Sequence, residues 1–317
     1  MPYFTLVIPT YNRGHLLERA LRTCIAQGFT DWEAVVVDDA SSDASAVDAG
    51  DVVRRLGDSR VRFLRHERNQ GVCAARNTAI EAARGRWLIF HDDDDELMPD
   101  GLQLLHDAIA SSAAEDIRRH VFAYRDDLGR ISPEPPLHDG AVWDYRGYLQ
   151  WVEGVSTRTD FLNVIHRDVF DSVLWPTDRS REEIFHLELA RRFRTQCHAV
   201  VASIIHTDAV DRFTAVPGRD RLLQMAPHLA TQWMRLLDEH GSALEAWAPR
   251  TYAGFVRSTA INSYMAGKRG QGLRYATRLL RGRPFAPNAW GVLLLGLLRP
   301  RAVGAVVARA KLRRARE

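Results

Sequence analysis

The chain has 317 residues, 46% hydrophobic and 26% charged, with a formal net charge of +3. That length and balance suit a soluble globular protein with one large domain, or one domain plus an appendage. Three cysteines (Cys24, Cys73, Cys197) show neither paired nor metal-like spacing, which excludes a disulfide framework and points to a reducing compartment.

Met1 to Thr5 runs straight into a strand pattern without a basic flank or cleavage site, so no signal peptide is expected. Phe4 to Pro9 is apolar and β-branched, the pattern of a buried parallel strand. Asn12 is placed to cap a helix whose apolar positions run from Leu16 to Ile25 and which Gly28 ends. Trp32 to Val37 repeats the strand pattern, Ala44 to Leu56 reads as a helix, and Val61 to Leu64 as a third strand. Val72 to Ala83 is a third helix, and Trp87 to Phe90 a fourth strand. Strands and helices alternating at this spacing predict an α/β fold with a mostly parallel sheet.

The fourth strand runs into His91-Asp92-Asp93-Asp94-Asp95. Adjacent carboxylates repel one another and resist dehydration, and a divalent cation relieves both costs, Mg²⁺ or Mn²⁺ being suited to hard oxygen donors. A solvated acidic turn is the plainer alternative. In such sheets ligands sit beyond the carboxyl ends of the strands. Here those ends carry Pro9-Thr10-Tyr11-Asn12-Arg13, Asp38-Asp39 and Asp92 to Asp95, beside the Asn69-Gln70-Gly71 turn. Together with Arg76 they describe a nucleoside-diphosphate pocket, with Tyr11 stacking on a base and Asp39 accepting from a base N–H. Singly, Tyr11 reads as a turn aromatic, Asp39 as a helix cap and Arg76 as a surface helix residue. Their convergence favours the pocket.

Thr5 to Arg13, Val35 to Asp43, Asn69 to Asn77 and Phe90 to Asp95 resemble, in order and spacing, the successive motifs of family 2 glycosyltransferases. The resemblance implies the GT-A fold, a nucleotide-sugar-binding α/β domain with a metal-binding DxD element. It makes Asp92 and Asp94 the DxD carboxylates, Asp94 the more direct ligand of Mn²⁺ or Mg²⁺. Pro9, Tyr11 and Asp39 would face the nucleoside, with Arg13 in the same pocket and Arg76 near the diphosphate. His91, Asp93 and Ala40 depart from the family pattern; Asp93 adds charge to the donor pocket without an assignable use.

Further on, Pro99 to Ser111 reads as a helix and Val121 to Tyr124 as a strand. The proline-rich stretch Ser132 to Gly140 reads as a mobile loop, and 125–140 and 207–218 as lids. Trp143, Tyr145, Tyr148 and Trp151 suit local packing or a sugar-binding wall, and the polar residues 156–160 could line the sugar site before a strand over Phe161 to Ile165. Arg181 to Arg192 has helical periodicity with Glu182 and Glu183 in its first turn, where acids are favoured by the helix dipole. The resemblance makes Glu183 the general base with Glu182 beside it, although the family more often has Asp at the second place. Cys197 to Ile205 reads as a strand ending at His206, where GT-A enzymes often supply a histidine to the metal.

From Arg219 onward the pattern is helical: 220–240, 242–266, 270–280, 288–298 and 300–315, the last two carrying apolar faces against arginine-rich ones. We therefore expect a GT-A domain over 1–215 and a helical region over 216–317. That region suits an anionic membrane surface, a cap on the catalytic domain or a homo-oligomer contact. Nucleic acid is disfavoured, since no recognition module accompanies the charge. The longest apolar run, Ala289 to Leu298, is too short to span a bilayer. No GxxxxGK[ST] or GxGxxG element is present, which lowers kinase and dehydrogenase readings. The expected activity is metal-dependent inverting transfer from a UDP- or dTDP-sugar to an acceptor glycan, lipid-linked glycan or small molecule. The expected place is the cytoplasm or the inner face of the plasma membrane. The alternatives are an inactive nucleotide-sugar-binding protein and a metal-dependent nucleotidyltransferase.

Overall fold

A computed structural model describes residues 1–42, 47–112, 116–155, 160–177, 182–206, 218–282 and 285–314. The chain divides into two compact units, Met1–Ala209 and Val210–Glu317.

The first unit opens with β1 (Phe4–Thr10), α1 (Gly14–Ile25), β2 (Trp32–Asp38), α2 (Ala49–Leu56), β3 (Val61–Arg65), α3 (Val72–Ala82) and β4 (Trp87–Phe90). It continues through β5 (Glu96–Leu97), α4 (Gly101–Ala110), β6 (Ile117–Asp126), β7 (Ile131–Ser132) and β8 (Val142–Trp143). Then come α5 (Tyr145–Gly154), β9 (Leu162–His166), α6 (Glu182–Arg192) and β10 (Arg194–Ile205). The strand order is β3-β2-β1-β4-β9-β6-β10-β5. β1 to β4 are mutually parallel and β10 is parallel to β6, while β9 runs antiparallel between β4 and β6. The sheet is therefore mostly parallel and flanked by helices, as expected.

Every residue of β1 and β2 is buried because both faces of the sheet are covered. Alternation sorts them: Phe4, Leu6 and Ile8 pack with Leu17, Leu21, Leu102 and Leu105, whereas Val7, Val35 and Val37 pack with Ala75, Ala79, Phe185 and Leu189. The chain winds outward from β1 to β3 in one direction and from β1 to β4 in the other, so the strand order reverses between β1 and β4. The two strands also part there. Pairing of β1 with β4 stops at Val7–Phe90, while pairing with β2 continues to Thr10–Asp38. The result is a crevice at the carboxyl edge of the sheet, where sheets of this type take ligands.

Several local expectations are corrected. Asn12 does not cap α1. It adopts φ +57°, its Oδ1 accepts from the Ser42 N–H at 2.9 Å, and Arg13 occupies the cap position. α2 starts at Ala49, capped by Asp48, whose side chain accepts from the Asp51 N–H at 3.0 Å. The 131–141 stretch is fastened down rather than free. β7 pairs with β6, Leu137 is buried against Val121 and Cys197, and the Gly140 N–H donates to the Cys197 carbonyl at 2.9 Å. The second lid, like residues 156–159, falls outside the described residues except for Gly218.

The second unit contains α7 (Arg219–Trp247), α8 (Pro249–Met265), α9 (Arg269–Gly282), α10 (Pro287–Leu295) and α11 (Pro300–Arg314). The break expected near His240 is absent. Pro227 sits inside α7, and the chain turns only at Ala248, where Pro249 starts α8. Proline at a first helical position forfeits no bond, since that N–H has no partner within the helix. No described helix is long and apolar enough to cross a membrane.

Candidate active site

The crevice is crossed by charge. From the start of α1, Arg13 Nη1 donates to Asp93 Oδ1 at 3.3 Å and to Asp94 Oδ2 at 3.2 Å, beyond the end of β4. Arg19, one turn and a half later, donates to the Asp94 carbonyl at 2.8 Å. Burial lowers the Arg13 pKa, but the charges of Asp93 and Asp94 raise it more. The four aspartates divide into two kinds. Asp92 is exposed and Asp94 half-buried, whereas Asp93 and Asp95 are each 4% exposed. Burial pushes Asp93 up to about 7, reinforced by the charges of Asp94 and Asp92. Asp95 is driven well above the usual carboxylate range for the same reasons, with the His206 backbone N–H as a partial offset. His91 is fully buried, and burial lowers it to about 4, so it is a neutral structural residue at pH 7.

Arg76 departs from its surface-helix reading, being only 8% exposed. Its Nη1 donates to Glu182 Oε1 at 2.8 Å and its Nη2 to Asp92 Oδ1 at 3.3 Å. Burial works against its charge, and the two carboxylates more than restore it. The guanidinium stacks 4.5 Å over Trp175, which in turn stacks 3.9 Å on Phe185 of α6. Asn77, one residue past Arg76, fastens Trp175 by exchanging two hydrogen bonds with its backbone, at 2.8 and 3.0 Å. Segments of three sequence regions, around residues 76, 92 and 182, thus meet at one point.

Asp39 organises the neighbouring turn. Its carboxylate accepts from the Gln70 N–H at 2.9 Å and the Gly71 N–H at 2.7 Å, and meets His66 Nδ1 at 2.7 Å. A carboxylate has about four acceptor positions, and these three contacts use all but one. Asp38 instead ties Ser41 and Arg65 to the end of β2. Pro9 is buried at the end of β1, and Tyr11 presents a ring 44% exposed at the crevice mouth.

The oxygen donors suit a hard divalent cation. Among the described residues, however, no three His, Cys, Asp or Glu side chains converge as a ready ligand shell. Instead, Arg13 holds Asp94, Arg76 holds Asp92, and His206 Nε2 lies 2.8 Å from Glu96 Oε1. The donor chemistry fits, and the present geometry spends those donors on arginines and on Glu96.

Residues 5–174 match the Glycosyl transferase family 2 model, more than half of the chain. The chain belongs to glycosyl transferase family 2. It is 37% identical over 115 residues to the succinoglycan biosynthesis protein ExoO of Rhizobium meliloti, covering 36% of this chain and 32% of that one. It is 39% identical over 108 residues to a Campylobacter jejuni GalNAc(5)-diNAcBac-PP-undecaprenol β-1,3-glucosyltransferase, covering 33% and 34% respectively. The chain thus spans about half or less of the length of the curated relatives it matches. In fold it resembles S. aureus TarS 1-349 in complex with UDP-GlcNAc, at TM-score 0.62 and 15% identity over 98% of this chain and 92% of that one. It also resembles the Pyrobaculum calidifontis mannosyltransferase PcManGT in complex with GDP-Man and Mn²⁺, at TM-score 0.52 and 18% identity over 96% and 86%.

Behind the crevice of this family 2 chain lies a group that the motifs did not disclose. Arg119 of β6 is completely buried, donates from Nε and Nη2 to Asn163 Oδ1 at 3.0 and 2.7 Å, and lies 3.3 Å from His186 Nδ1. These partners are neutral, and burial accordingly lowers the Arg119 pKa. His186 follows Glu182 and Glu183 by one turn of α6. Its pKa is held well below the ordinary value by burial and by the charges of Arg119 and Arg76. A donating guanidinium requires a lone pair on Nδ1, so the His186 proton sits on Nε2. The sequence did carry a signal: Arg119 falls in alternation with Ile117, Val121 and Ala123, an arginine on an otherwise apolar strand face. The rings of the aromatic run pack on one another, with Trp143 stacked 4.9 Å on Trp151, and Trp151 5.3 Å from Phe161.

Proposed function

We propose that this family 2 chain is a metal-dependent inverting glycosyltransferase of cell-envelope polysaccharide assembly, using a UDP- or dTDP-sugar donor and a lipid-linked or glycan acceptor. The observation that carries the proposal is the double engagement of Arg76, which joins the DxD carboxylate Asp92 to Glu182 in the first turn of α6. A donor-phosphate element and a candidate base element are thereby brought together from positions 90 residues apart in sequence.

Tyr11 would stack on the base, the open acceptor position of Asp39 would take a base N–H, and Pro9 would shape the nucleoside floor. Asp94, with Asp92 and His206, would hold Mn²⁺ or Mg²⁺, which when bound supplies Lewis-acid stabilisation to a leaving diphosphate. Arg13 and Arg76 would add fixed positive charge along the same phosphates. Glu183 would take the acceptor hydroxyl proton as the bond to the anomeric carbon forms, Glu182 keeping the helix start anchored through Arg76. A single displacement inverts the anomeric centre, so an α-linked donor yields a β-linked product. The similarity to a GalNAc(5)-diNAcBac-PP-undecaprenol β-1,3-glucosyltransferase supports a lipid-linked acceptor.

The test is a panel of nucleotide sugars with and without Mn²⁺, following nucleoside diphosphate release and the anomeric configuration of the product. Inverted glycoside with released nucleoside diphosphate supports the proposal. Released pyrophosphate would point to nucleotidyl transfer, and donor binding without turnover to an inactive binding protein.

A further inference from the structure

Asp39 is held from a side that the family motifs leave out. It lies just past β2, and its backbone N–H donates to the Thr10 carbonyl at 2.9 Å, which locks it against the end of β1. Just past β3, the His66 N–H donates to the Asp38 carbonyl at 2.9 Å and sets the imidazole beside the carboxylate. His66 Nδ1 lies 2.7 Å from Asp39 Oδ1, and Nε2 lies 2.9 Å from the Thr78 hydroxyl of α3. The imidazole is 8% exposed and the carboxylate 4%. A carboxylate only accepts, so Nδ1 carries a proton, and in the neutral ring the Thr78 hydroxyl donates to Nε2. Neither His66 nor Thr78 falls in the stretches 35–43 and 69–77 that carry the family resemblance.

The bonds are shared unevenly between the two oxygens. Oδ1 takes His66 and the Gln70 N–H at 2.9 Å, whereas Oδ2 takes the Gly71 N–H at 2.7 Å. With about two lone pairs on each oxygen, Oδ1 is filled and Oδ2 keeps one. Donors on both oxygens also stop the group from turning about its Cβ–Cγ bond. What is left is a single acceptor in a fixed plane. It suits a base edge with one ring N–H between two carbonyls, as in uracil or thymine. Cytosine presents a lone pair at that ring position and an amino N–H on the neighbouring carbon. Meeting cytosine would require the carboxylate to turn or to offer Oδ1, and His66 prevents both. Rejection of this kind is strong, because it leaves buried polar groups facing one another without a bond.

We propose that His66, braced by Thr78, is a positioning residue that makes Asp39 a reader with one acceptor and so sets a preference for a uracil- or thymine-type base over cytosine. The inference rests on the reading of Asp39 as the partner of the donor's base.

The test is calorimetry of the full chain with UDP and with CDP, Mn²⁺ present, the two bases being of one size so that pocket volume drops out of the ratio. Wild type should bind UDP at least about tenfold more tightly than CDP. His66→Phe keeps an aromatic ring but frees a lone pair of Oδ1, and should narrow that ratio by about fivefold or more. A role in packing alone would weaken both nucleotides together and leave the ratio where it was. Thr78→Val keeps the side-chain shape but releases the ring, and should narrow the ratio by about two- to threefold; it carries the test if His66→Phe does not fold. A preference that Asp39→Ala abolishes, while His66→Phe and Thr78→Val leave it unchanged, would overturn the inference and spare the donor reading. No preference for UDP in wild type, or one that survives Asp39→Ala, would overturn both.

Discussion

Asp93→Asn should stabilise the metal-free protein increasingly as pH rises. The carboxyl is 4% exposed, and burial first, then the charges of Asp94 and Asp92, move its titration from the ordinary 3.8 to about 7. A folded-state pKa above the unfolded one means that folding binds a proton between those values. Stability is therefore complete below pH 3.8 and is lost as pH rises through about 7. Each pH unit across that window is worth about 1.4 kcal/mol, so the ionised form costs about 4 kcal/mol at pH 8. Asparagine fills the same space, keeps an oxygen to accept from Arg13 and never ionises. Its buried NH₂ group costs about 1–3 kcal/mol if unpaired, but that cost is the same at every pH and drops out of the comparison. The assay is thermal or urea unfolding of both proteins in EDTA from pH 4 to 8. The variant should gain on wild type by up to about 4 kcal/mol across that range, about 2–4 °C of melting temperature for each kcal/mol. A stability difference that stays flat from pH 4 to 8 would refute a buried, ionisation-resisting Asp93.

Three further substitutions separate chemistry, donor binding and fold. Glu183→Gln should lower transfer by about 10²–10⁴-fold while donor affinity, measured by calorimetry, stays within about twofold. Tyr11→Ala should weaken nucleotide binding by about 5- to 100-fold, the worth of one base–aromatic stack. It should leave the melting temperature unchanged, because the ring is 44% exposed. Gly85→Ala should destabilise the first unit by about 3 kcal/mol or more. A Cβ there would lie 2.6 Å from the Phe4 carbonyl carbon and the Thr5 nitrogen, atoms of β1 that cannot move aside; equilibrium unfolding reads the loss.

The alternation of β1, α1, β2, β3, α3 and β4 was legible because each strand is a continuous apolar run and each helix keeps its period. The same logic failed at helix ends. Asp48 caps α2 from a position that no apolar period marks, and α7 runs through Gly241 because a glycine inside a packed helix carries no stop signal of its own. β9 could be found but not oriented. Its direction depends on pairing with β4 and β6, which lie some 70 and 40 residues upstream, and local patterning does not encode that. In the crevice, residue types announced themselves while partnerships did not. Asp92 and Asp94 stood out as polar residues just past the end of a strand and Arg76 as one within a helix, yet only the folded chain shows that Arg13 and Arg76 already occupy the carboxylates.

Those partnerships bear on how a donor would be received. A buried arginine without counter-charge is expensive, and Arg76 avoids that cost by holding Glu182 and Asp92 together. A diphosphate arriving between β1 and β4 offers the same guanidinium a stronger bidentate partner. The bond from Arg76 to Asp92 and that from Arg13 to Asp94, if moved to phosphate, would each release a carboxylate oxygen for a divalent cation. Donor and cation would then favour each other's binding by exchange of partners, with no larger rearrangement required. Arg119 cannot join that exchange, since its partners Asn163 and His186 are neutral and it is wholly enclosed. It is suited instead to hold α6 at a fixed distance from the sheet. The two buried arginines would thus divide the work, Arg76 trading its partners at the start of the helix while Arg119 holds the turn that carries His186.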